Sequence, residues 1–370
     1  MYIRKTLHHI LLTITGLNLL VITSCNEFAD PSENYIYEIP SSQSQLQTNS
    51  LENVGLNSDL IVEMTDLIIR EDFKRIDGLL ILKDNQLVYE EYFHGYSQEV
   101  LHNIYSSTKS ITSILTGIAI NEGFIDSINT PILELLPEYS NIRNQGPLKD
   151  QITVEHLLNM SSGLNCEDWF GRTEERMNQT DDWVKFTLDL AMVDTPGKTG
   201  NYCTGNPVIL GRIIENQSKL SIEEFANKYL FDPLGIKEYQ WEVMPNGRIS
   251  AGGKLFLRPR DMAKIGLLML NKGSWDENQL LSPSWVAMSQ ESGIELRSPF
   301  SGYGLLWWKQ TFEKDGEGVF AYFSSGNGGQ DIFIIPSQKM VIVFTSGNAN
   351  TGIGLQNLSM INEYILKAAK

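Results

Sequence analysis

The chain is poor in positive charge and in histidine. It has 29 Lys and Arg against 45 Asp and Glu, a net charge of −16, and only five histidines. No basic run occurs, which argues against nucleic acid as a partner. Walker A, complete Gly-x-Gly-x-x-Gly, His-Glu-x-x-His and Gly-x-Ser-x-Gly strings are all missing. The sequence therefore predicts no metal and no other cofactor, and it does not favour a Ser-His-Asp hydrolase.

Cysteine is also scarce, with only Cys25, Cys166 and Cys203 in 370 residues. If the protein is exported, disulfides persist in its surroundings. Cys166 and Cys203 are then compatible with a disulfide and equally with two free buried thiols. Neither has a histidine close in sequence, so a cysteine nucleophile is disfavoured.

Long apolar runs are absent except near the start of the chain. Arg4 and Lys5 precede an apolar stretch of 13 residues, Ile10 to Ile22, which is short for a membrane span. Cys25 follows directly after small residues, a pattern that resembles the lipobox of bacterial lipoproteins. We therefore expect residues 1–24 to be a lipoprotein signal peptide and Cys25 to carry the lipid. The alternative is an ordinary signal peptide with an unrelated cysteine.

The predicted organisation is an exported protein, periplasmic or on the cell surface, held to a membrane by its lipid. Residues 25–55 are rich in Ser, Asn, Gln and Glu and predict a flexible tether. Residues 56–370 predict one large domain with a mostly helical insert at about 125–290. Removing Arg4 and Lys5 with the leader lowers the net charge from −16 to about −18. The sequence does not specify an oligomeric state.

Apolar periodicity predicts an α+β fold, with strands at both chain ends contributing to one antiparallel sheet flanked by helices. The predicted strands are 78–82, 86–93, 303–309, 319–323, 331–335 and 340–346. The predicted helices are 59–73, one after Ser106, 153–160, 180–190, 207–216, 222–231, 259–270, 283–292 and 355–370. The functional site is expected in the crevice between the sheet and the helical insert.

Ser106-Ser107-Thr108-Lys109 is the strongest candidate for chemistry. Apolar residues at helical spacing follow it, which places Ser106 at the mouth of a helix with Lys109 one turn further on the same face. A serine hydroxyl becomes a good nucleophile only when a base takes its proton. Because burial disfavours the charged form of an amine, a lysine in a buried helix is a candidate base.

Further stretches follow in a fixed order: Thr153 to Leu164, Pro196-Gly197 with Tyr202, Leu210 to Glu215, Ala251-Gly252-Gly253 with Arg258 to Lys264, Tyr303 to Trp308, and Gly326 to Gln330. Over roughly residues 60–370, this pattern resembles the serine β-lactamase and penicillin-binding-protein-like family, in its class C β-lactamase and esterase branch. It also resembles aminohexanoate-dimer hydrolases. The resemblance implies the β-lactamase/transpeptidase-like fold.

The resemblance also implies a role for each matched residue. Ser106 would be the acylated nucleophile, and Lys109 and Tyr202 would share the transfer of its proton to the leaving group. The family's third motif falls on Ser324-Ser325-Gly326. The backbone amides of Ser106 and Asn327 would form the oxyanion hole, because a strand edge presents a fixed N–H.

Two departures from the family pattern bear on the substrate. Tyr202-Cys203-Thr204 stands where relatives have Tyr-x-Asn, so Thr204 and Asn206 are the candidates for the missing pocket residue. Ser324 stands where relatives have a cationic or imidazole side chain. A hydroxyl cannot match a charge-assisted bond to a substrate carboxylate.

The sequence thus predicts a serine hydrolase that works through an acyl-enzyme on carboxylic esters or small neutral amides. A β-lactamase or D,D-peptidase is the nearest alternative, and its substrate would be a lactam or a peptide. An inactive, surface-anchored binding protein is the alternative from another class.

Overall fold

An eight-stranded sheet drawn from both ends of the chain organises the fold. The computed structural model describes residues 35–42, 45–291, 293–296 and 298–370. The strands are β1 Gln47–Thr48, β2 Ile76–Lys83, β3 Gln86–Tyr92, β4 His102–Asn103, β5 Gln240–Trp241, β6 Leu255–Leu257, β7 Ser274–Trp275, β8 Asn278–Gln279, β9 Gly302–Gly304, β10 Trp307–Lys314, β11 Glu317–Gly326, β12 Gln330–Ile335 and β13 Met340–Ser346.

The large sheet has the order β1-β3-β2-β13-β12-β11-β10-β9 and is antiparallel except for the β1–β3 pair. This confirms the predicted sheet built from both chain ends. β12 and β13 are buried along their whole length, as expected of apolar strands covered on both faces. Asp84 and Asn85, both at positive φ, form the tight turn between β2 and β3. The short strands β4 to β8 were not predicted; β4, β5 and β6 form a second small sheet.

Helices cover the sheet and fill the middle of the chain. They are α1 Ser58–Ile69, α2 Thr108–Asn121, α3 Pro147–Asp150, α4 Val154–Leu158, α5 Thr173–Met177, α6 Trp183–Leu188, α7 Gly205–Ser218, α8 Ile222–Ala226, α9 Pro259–Leu270, α10 Pro283–Gln290, α11 Gln356–Met360 and α12 Leu366–Ala368. Single π turns extend α8 over Asn227–Phe231 and join α11 to α12 over Ile361–Ile365. Several helices begin at a side-chain cap that accepts a backbone N–H, namely Thr153, Asp182, Ser221 and Ser282.

The segment before the domain is more ordered than its composition predicts. From Tyr35 onward it packs on the sheet: the Tyr37 hydroxyl donates to the Val88 carbonyl (2.8 Å), β1 pairs with β3, and Leu46 and Leu51 are buried. The prediction of a flexible tether is therefore wrong from Tyr35 on, because apolar and aromatic side chains spaced along the polar stretch reach the core. Its first residues, Cys25 and the predicted signal peptide lie outside the described residues.

No helix in the described part of the chain combines the length and apolar character needed to cross a membrane.

Candidate active site

Ser106 lies in a single 3-10 turn, Tyr105–Ser107, that leads directly into α2. The residue before it, Tyr105, has a φ of 46°, a conformation that bulky side chains rarely adopt. The Asn103 side chain holds this turn by accepting the Tyr105 backbone N–H (2.9 Å). The result is a half-buried Ser106 side chain at the mouth of a buried helix.

Lys109 is 2 % exposed, and its Nζ lies 3.0 Å from Ser106 Oγ. The same Nζ donates to the Gly252 carbonyl at 2.7 Å. A Cβ on Gly252 would lie 2.7 Å from the Thr204 side chain and 2.9 Å from its carbonyl oxygen, so a larger residue would have to displace Thr204. Gly252 belongs to a stretch that matched the family, but its role was not predicted. The structure makes it the residue that orients Lys109.

Hydroxyl groups of α2 and of the turn before it fasten the helix to the walls of the site. Ser107 Oγ donates to the Gln330 carbonyl at 2.5 Å, and Thr112 Oγ1 donates to the Ala251 carbonyl at 2.6 Å. Such bonds satisfy buried backbone acceptors that would otherwise be costly. They explain why a helix buried from Thr108 to Ala119 contains so many small polar residues.

The ring of Tyr202 lies beside Lys109, with Nζ 5.1 Å from the ring centroid. Its own position is set by aromatic neighbours. Trp169 stacks on it at 4.9 Å with 8° between the planes, and Trp308 does so at 5.7 Å and 17°. Tyr303 meets it edge-on at 6.3 Å. The sequence does not predict a role for Trp169, because nothing in its local pattern distinguishes it from a surface tryptophan.

The segment 166–169 holds the Tyr202 segment by covalent and hydrogen bonds as well. Cys166 and Cys203 are joined by a disulfide. Asp168 donates its backbone N–H to the Tyr202 carbonyl (3.0 Å), and its Oδ2 accepts the Thr204 N–H at 2.6 Å. We call residues 166–169 the Tyr202 clamp.

The carboxyl group of Asp168 is a charged neighbour of the site that sequence reasoning missed. Burial raises its pKa, while the charge of Lys109 and the Thr204 hydrogen bonds oppose that shift. Asp168 therefore acts on Lys109 through the electrostatic field and on Tyr202 through the backbone.

The end of β11 is the second wall beside Ser106. A Cβ on Gly326 would lie 2.2 Å from the Ile104 carbonyl, so the strand packs directly against the chain that leads to Ser106. Pairing with β10 stops at Phe323, whereas pairing with β12 continues to Gly326. The last residues of β11 therefore have one edge that β10 does not cover.

The three polar residues predicted on this wall have different environments. Ser324 is fully buried and faces the core, whereas Ser325 is half-buried and lines a cavity. The side chain of Asn327 donates to Asn350 Oδ1 (2.6 Å) and accepts the Asn350 N–H (2.9 Å). That exchange fixes the loop after β11, whose first amide is the predicted oxyanion donor.

The two residues predicted to replace the family's Tyr-x-Asn amide do not line either of the cavities described below. Asn206 is fully buried, and its Nδ2 points at Met160 Sδ, 3.7 Å away. Thr204 is 2 % exposed and packs against Gly252. Both side chains are thus buried at the start of α7, and their place in the substrate pocket stays a prediction.

Two cavities adjoin these walls, and Trp169 lines both. The first, here called the β11 cavity, has a volume of about 350 Å³. Its lining includes Phe300, Phe323, Ser325, Gly326, Asn327, Asp331, Phe333, Leu355 and Leu358. The second, the Tyr202 cavity, measures about 480 Å³ and is lined by Glu167, Trp169, Phe170, Thr199, Gly200, Asn201, Tyr202, Glu295 and Leu296.

The charge of both cavities is acidic or neutral. Among the described residues that line them there is no Lys, Arg or His, whereas Asp331, Glu167 and Glu295 are present. Glu167 accepts the backbone N–H groups of Trp169, Phe170 and Gly171, so it shapes its own loop. The described part of the lining therefore offers no cationic partner for a substrate carboxylate.

Histidine and metal chemistry find no support among the described residues. His102 stacks on Tyr96 at 4.8 Å, and burial lowers its pKa to about 4. His156 closes a capping box with Thr153 at the start of α4. No group of three or more His, Cys, Asp or Glu side chains that could hold a metal ion occurs in the described ranges.

Comparison with known proteins agrees with this geometry. Residues 71–355 match the family model described as Beta-lactamase. The chain belongs to this β-lactamase family. It is a member of the serine hydrolases of β-lactamase and penicillin-binding-protein type, which confirms the resemblance seen in the sequence.

Individual relatives of this β-lactamase-family chain include amide and other hydrolases. The 6-aminohexanoate-dimer hydrolase of Paenarthrobacter ureafaciens is 26 % identical over 307 residues, which cover 77 % of this chain and 76 % of that protein. EstCE1, a hydrolase with promiscuous acyltransferase activity, has a TM-score of 0.69 at 15 % identity, covering 84 % of this chain and 99 % of its own. A D-stereospecific amidohydrolase from Streptomyces sp. has a TM-score of 0.61 at 18 % identity, covering 78 % and 94 %.

Proposed function

We propose that this protein hydrolyses carboxylic esters or small neutral amides through an acyl-enzyme on Ser106. The observation that carries the proposal is the 3.0 Å separation of Lys109 Nζ and Ser106 Oγ at the mouth of a buried helix. At this distance Lys109 can take the serine proton as the hydroxyl attacks a carbonyl carbon. The same proton then passes to the leaving group. In the second half of the reaction, water attacks the acyl-enzyme, gives up its proton to the same base and releases the acyl group, and the proton returns to Ser106.

Tyr202 and β11 supply the other two roles. The phenol of Tyr202 sits beside Lys109, where it can relay the proton toward the leaving group. The backbone amides of Ser106 and Asn327 are the proposed donors to the oxyanion, since Gly326 brings the end of β11 against the chain before Ser106. Gly252 and the Tyr202 clamp position Lys109 and Tyr202.

Charge decides the proposed substrate class. Ser324 is buried, and the described lining of the two cavities contains no cation to pair with a carboxylate. Penicillins and peptides with a free carboxyl end present such a group, so we propose that neutral acyl compounds are preferred over them. The similarity to a 6-aminohexanoate-dimer hydrolase and to an amidohydrolase keeps amides beside esters as substrates.

The test follows the mass of the intact protein during incubation with p-nitrophenyl acetate, p-nitrophenyl butyrate and nitrocefin. Wild type should form an acyl adduct and release chromophore from the esters, and Ser106→Ala should do neither. Ser284→Ala, an exposed serine on α10, should behave as wild type. Rapid opening of nitrocefin would favour a β-lactamase or D,D-peptidase. An unmodified wild-type protein with every acyl donor, including a fluorophosphonate, would favour a binding protein.

We also propose that Cys25 carries a lipid that anchors the protein to a membrane. Arg4, Lys5, the apolar stretch to Ile22 and the small residues before Cys25 support this proposal. Cys25→Ala should move the protein from the membrane fraction to the soluble fraction of the producing cell. Continued membrane association of this variant would overturn it.

A further inference from the structure

We propose that the β11 cavity binds an apolar alkyl or aryl group of the substrate, next to the scissile carbonyl. This inference rests on the proposed function and narrows its substrate class to neutral esters and amides with an extended apolar group. The group can belong to the acyl part or to the leaving group, and the experiment below distinguishes the two.

The cavity wall is aromatic and rigid. Phe323 of β11 stacks on Phe333 of β12 at 4.4 Å with 15° between the ring planes. Phe300 meets Phe323 edge-on at 4.9 Å, and it packs on Trp308 at the same centroid distance. Because interlocked rings in a sheet resist rearrangement, the cavity is preformed rather than induced.

The cavity borders the proposed oxyanion donor and the aromatic neighbour of Tyr202. Ser325, Gly326 and Asn327 form part of its lining, and the Asn327 amide is the proposed oxyanion donor. On its other side Trp169, which stacks on Tyr202, completes the lining. In this proposal, one substituent of a carbonyl carbon held at Ser106 extends past the Asn327 amide along β11 into this space.

The polar content of the cavity favours a neutral occupant over an anionic one. Asp331 is 3 % exposed, and its Oδ2 accepts a hydrogen bond from Asn357 Nδ2 at 2.7 Å. A substrate carboxylate would lie in the same low-dielectric space as this carboxyl group, without a cation among the described lining residues. An apolar group meets rings and aliphatic side chains instead.

The rim of the cavity is apolar as well. Leu355 is 46 % exposed and Trp169 is 43 % exposed, although both are large hydrophobic side chains. Ile353, between the lining residues Gly352 and Gly354, is 39 % exposed. Exposed apolar side chains grouped around a cavity mouth are typical of a binding site rather than of an inert surface.

The size of the effect can be predicted. Each methylene group transferred from water into the cavity should raise kcat/KM about threefold to fourfold until the cavity is full. A volume of about 350 Å³ lies at the lower end of small-molecule sites. The rise should therefore continue over several methylene groups and then level off.

The experiment compares two ester series. In one, p-nitrophenol is constant and the acyl chain grows from acetate to octanoate; in the other, acetate is constant and the alcohol grows from methyl to octyl. In one of the two series kcat/KM should rise with chain length, and that series identifies which side of the ester enters the cavity. Leu358→Trp fills the cavity and should lower kcat/KM for the long ester at least ten times more than it lowers kcat/KM for the acetate. Leu148→Trp, at a distant and partly exposed position on α3, should leave both series unchanged.

A second readout does not depend on turnover. Titration of Ser106→Ala with octanamide and acetamide, followed by isothermal titration calorimetry, should show tighter binding of octanamide that Leu358→Trp removes. The inference would be overturned if kcat/KM did not change with chain length in either ester series, or if Leu358→Trp lowered kcat/KM equally for long and short esters. In both cases, ester turnover that depends on Ser106 would still support the proposed function. Octanamide binding without any ester turnover would overturn the proposed function and keep the cavity as an apolar binding site.

Discussion

The indole of Trp169 lies parallel to the phenol ring of Tyr202, 4.9 Å away and inclined by only 8°. The position of the proposed proton relay therefore depends on a neighbouring loop. Stacked aromatic pairs contribute about 0.5–1.5 kcal/mol beyond their buried area. Trp169→Ala should lower kcat for p-nitrophenyl acetate about tenfold, whereas Trp169→Phe should keep most of it. Steady-state kinetics on both variants test this, and equal rates for Ala and Phe would show that stacking is unimportant.

The disulfide between Cys166 and Cys203 is the covalent part of the same clamp. The double variant Cys166→Ala/Cys203→Ala should lower kcat more than it changes KM, because Tyr202 is the residue next to Cys203. It should also cost about 2–4 kcal/mol of unfolding free energy, as is typical when a disulfide is lost. Dithiothreitol should reproduce the kinetic loss in wild type and have no effect on the double variant. An unchanged kcat in the reduced protein would mean that the disulfide contributes to stability and not to catalysis.

Lys109 is the residue on which the proposed chemistry depends most. Lys109→Met keeps the length and the apolar stem of the side chain but removes the proton acceptor. We expect kcat to fall by about three or more orders of magnitude, since activation of the nucleophile and general-base catalysis are lost together. Lys198→Met, on an exposed lysine paired with Asp194, is the matched control. A Lys109→Met enzyme with more than a few per cent of wild-type activity would show that another group is the base.

The sequence predicted the fold and the closeness of Lys109 to Ser106 well, because both depend on local pattern. Alternating and buried apolar runs gave β2, β3, β12 and β13 to within a few residues, and the helical spacing after Ser106 put Lys109 on its face. The structure then added the reason for the small polar residues of α2, whose hydroxyls bond to carbonyls far away in sequence, such as that of Ala251.

The parts that were wrong or missed depend on contacts between distant segments. The contact of the Asn206 side chain with Met160 at the start of α7 is one that its sequence position does not indicate. Asp168 and Trp169 contact Tyr202, which lies more than thirty residues later in the sequence. Apolar periodicity does not predict such contacts. The polar segment after Tyr35 packs on the sheet because a few apolar side chains outweigh its average composition.

The buried carboxyl group of Asp331 should make stability depend on pH in a defined direction. Burial raises its pKa from 3.8 to about 7, although hydrogen bonds from Ser325 and Asn357 oppose the shift. Below about pH 4 the group is protonated in both the folded and the unfolded state, so its titration does not change the free energy of unfolding. As the pH rises from about 4 to about 7, the unfolded chain loses this proton first, so the folded state loses stability by about 1.4 kcal/mol per pKa unit of the shift.

Asp331→Asn removes this titration while keeping the shape of the side chain. The difference in unfolding free energy, variant minus wild type, should therefore increase in favour of the variant between about pH 4 and pH 7 and stay constant above that range. Urea unfolding followed by circular dichroism at several pH values measures it, with Ser284→Ala as a control at an exposed, non-titrating position. A difference that is flat across this window would mean that Asp331 is ionised in the folded protein throughout. The β11 cavity would then hold a fixed negative charge and would favour a cationic group over a neutral one.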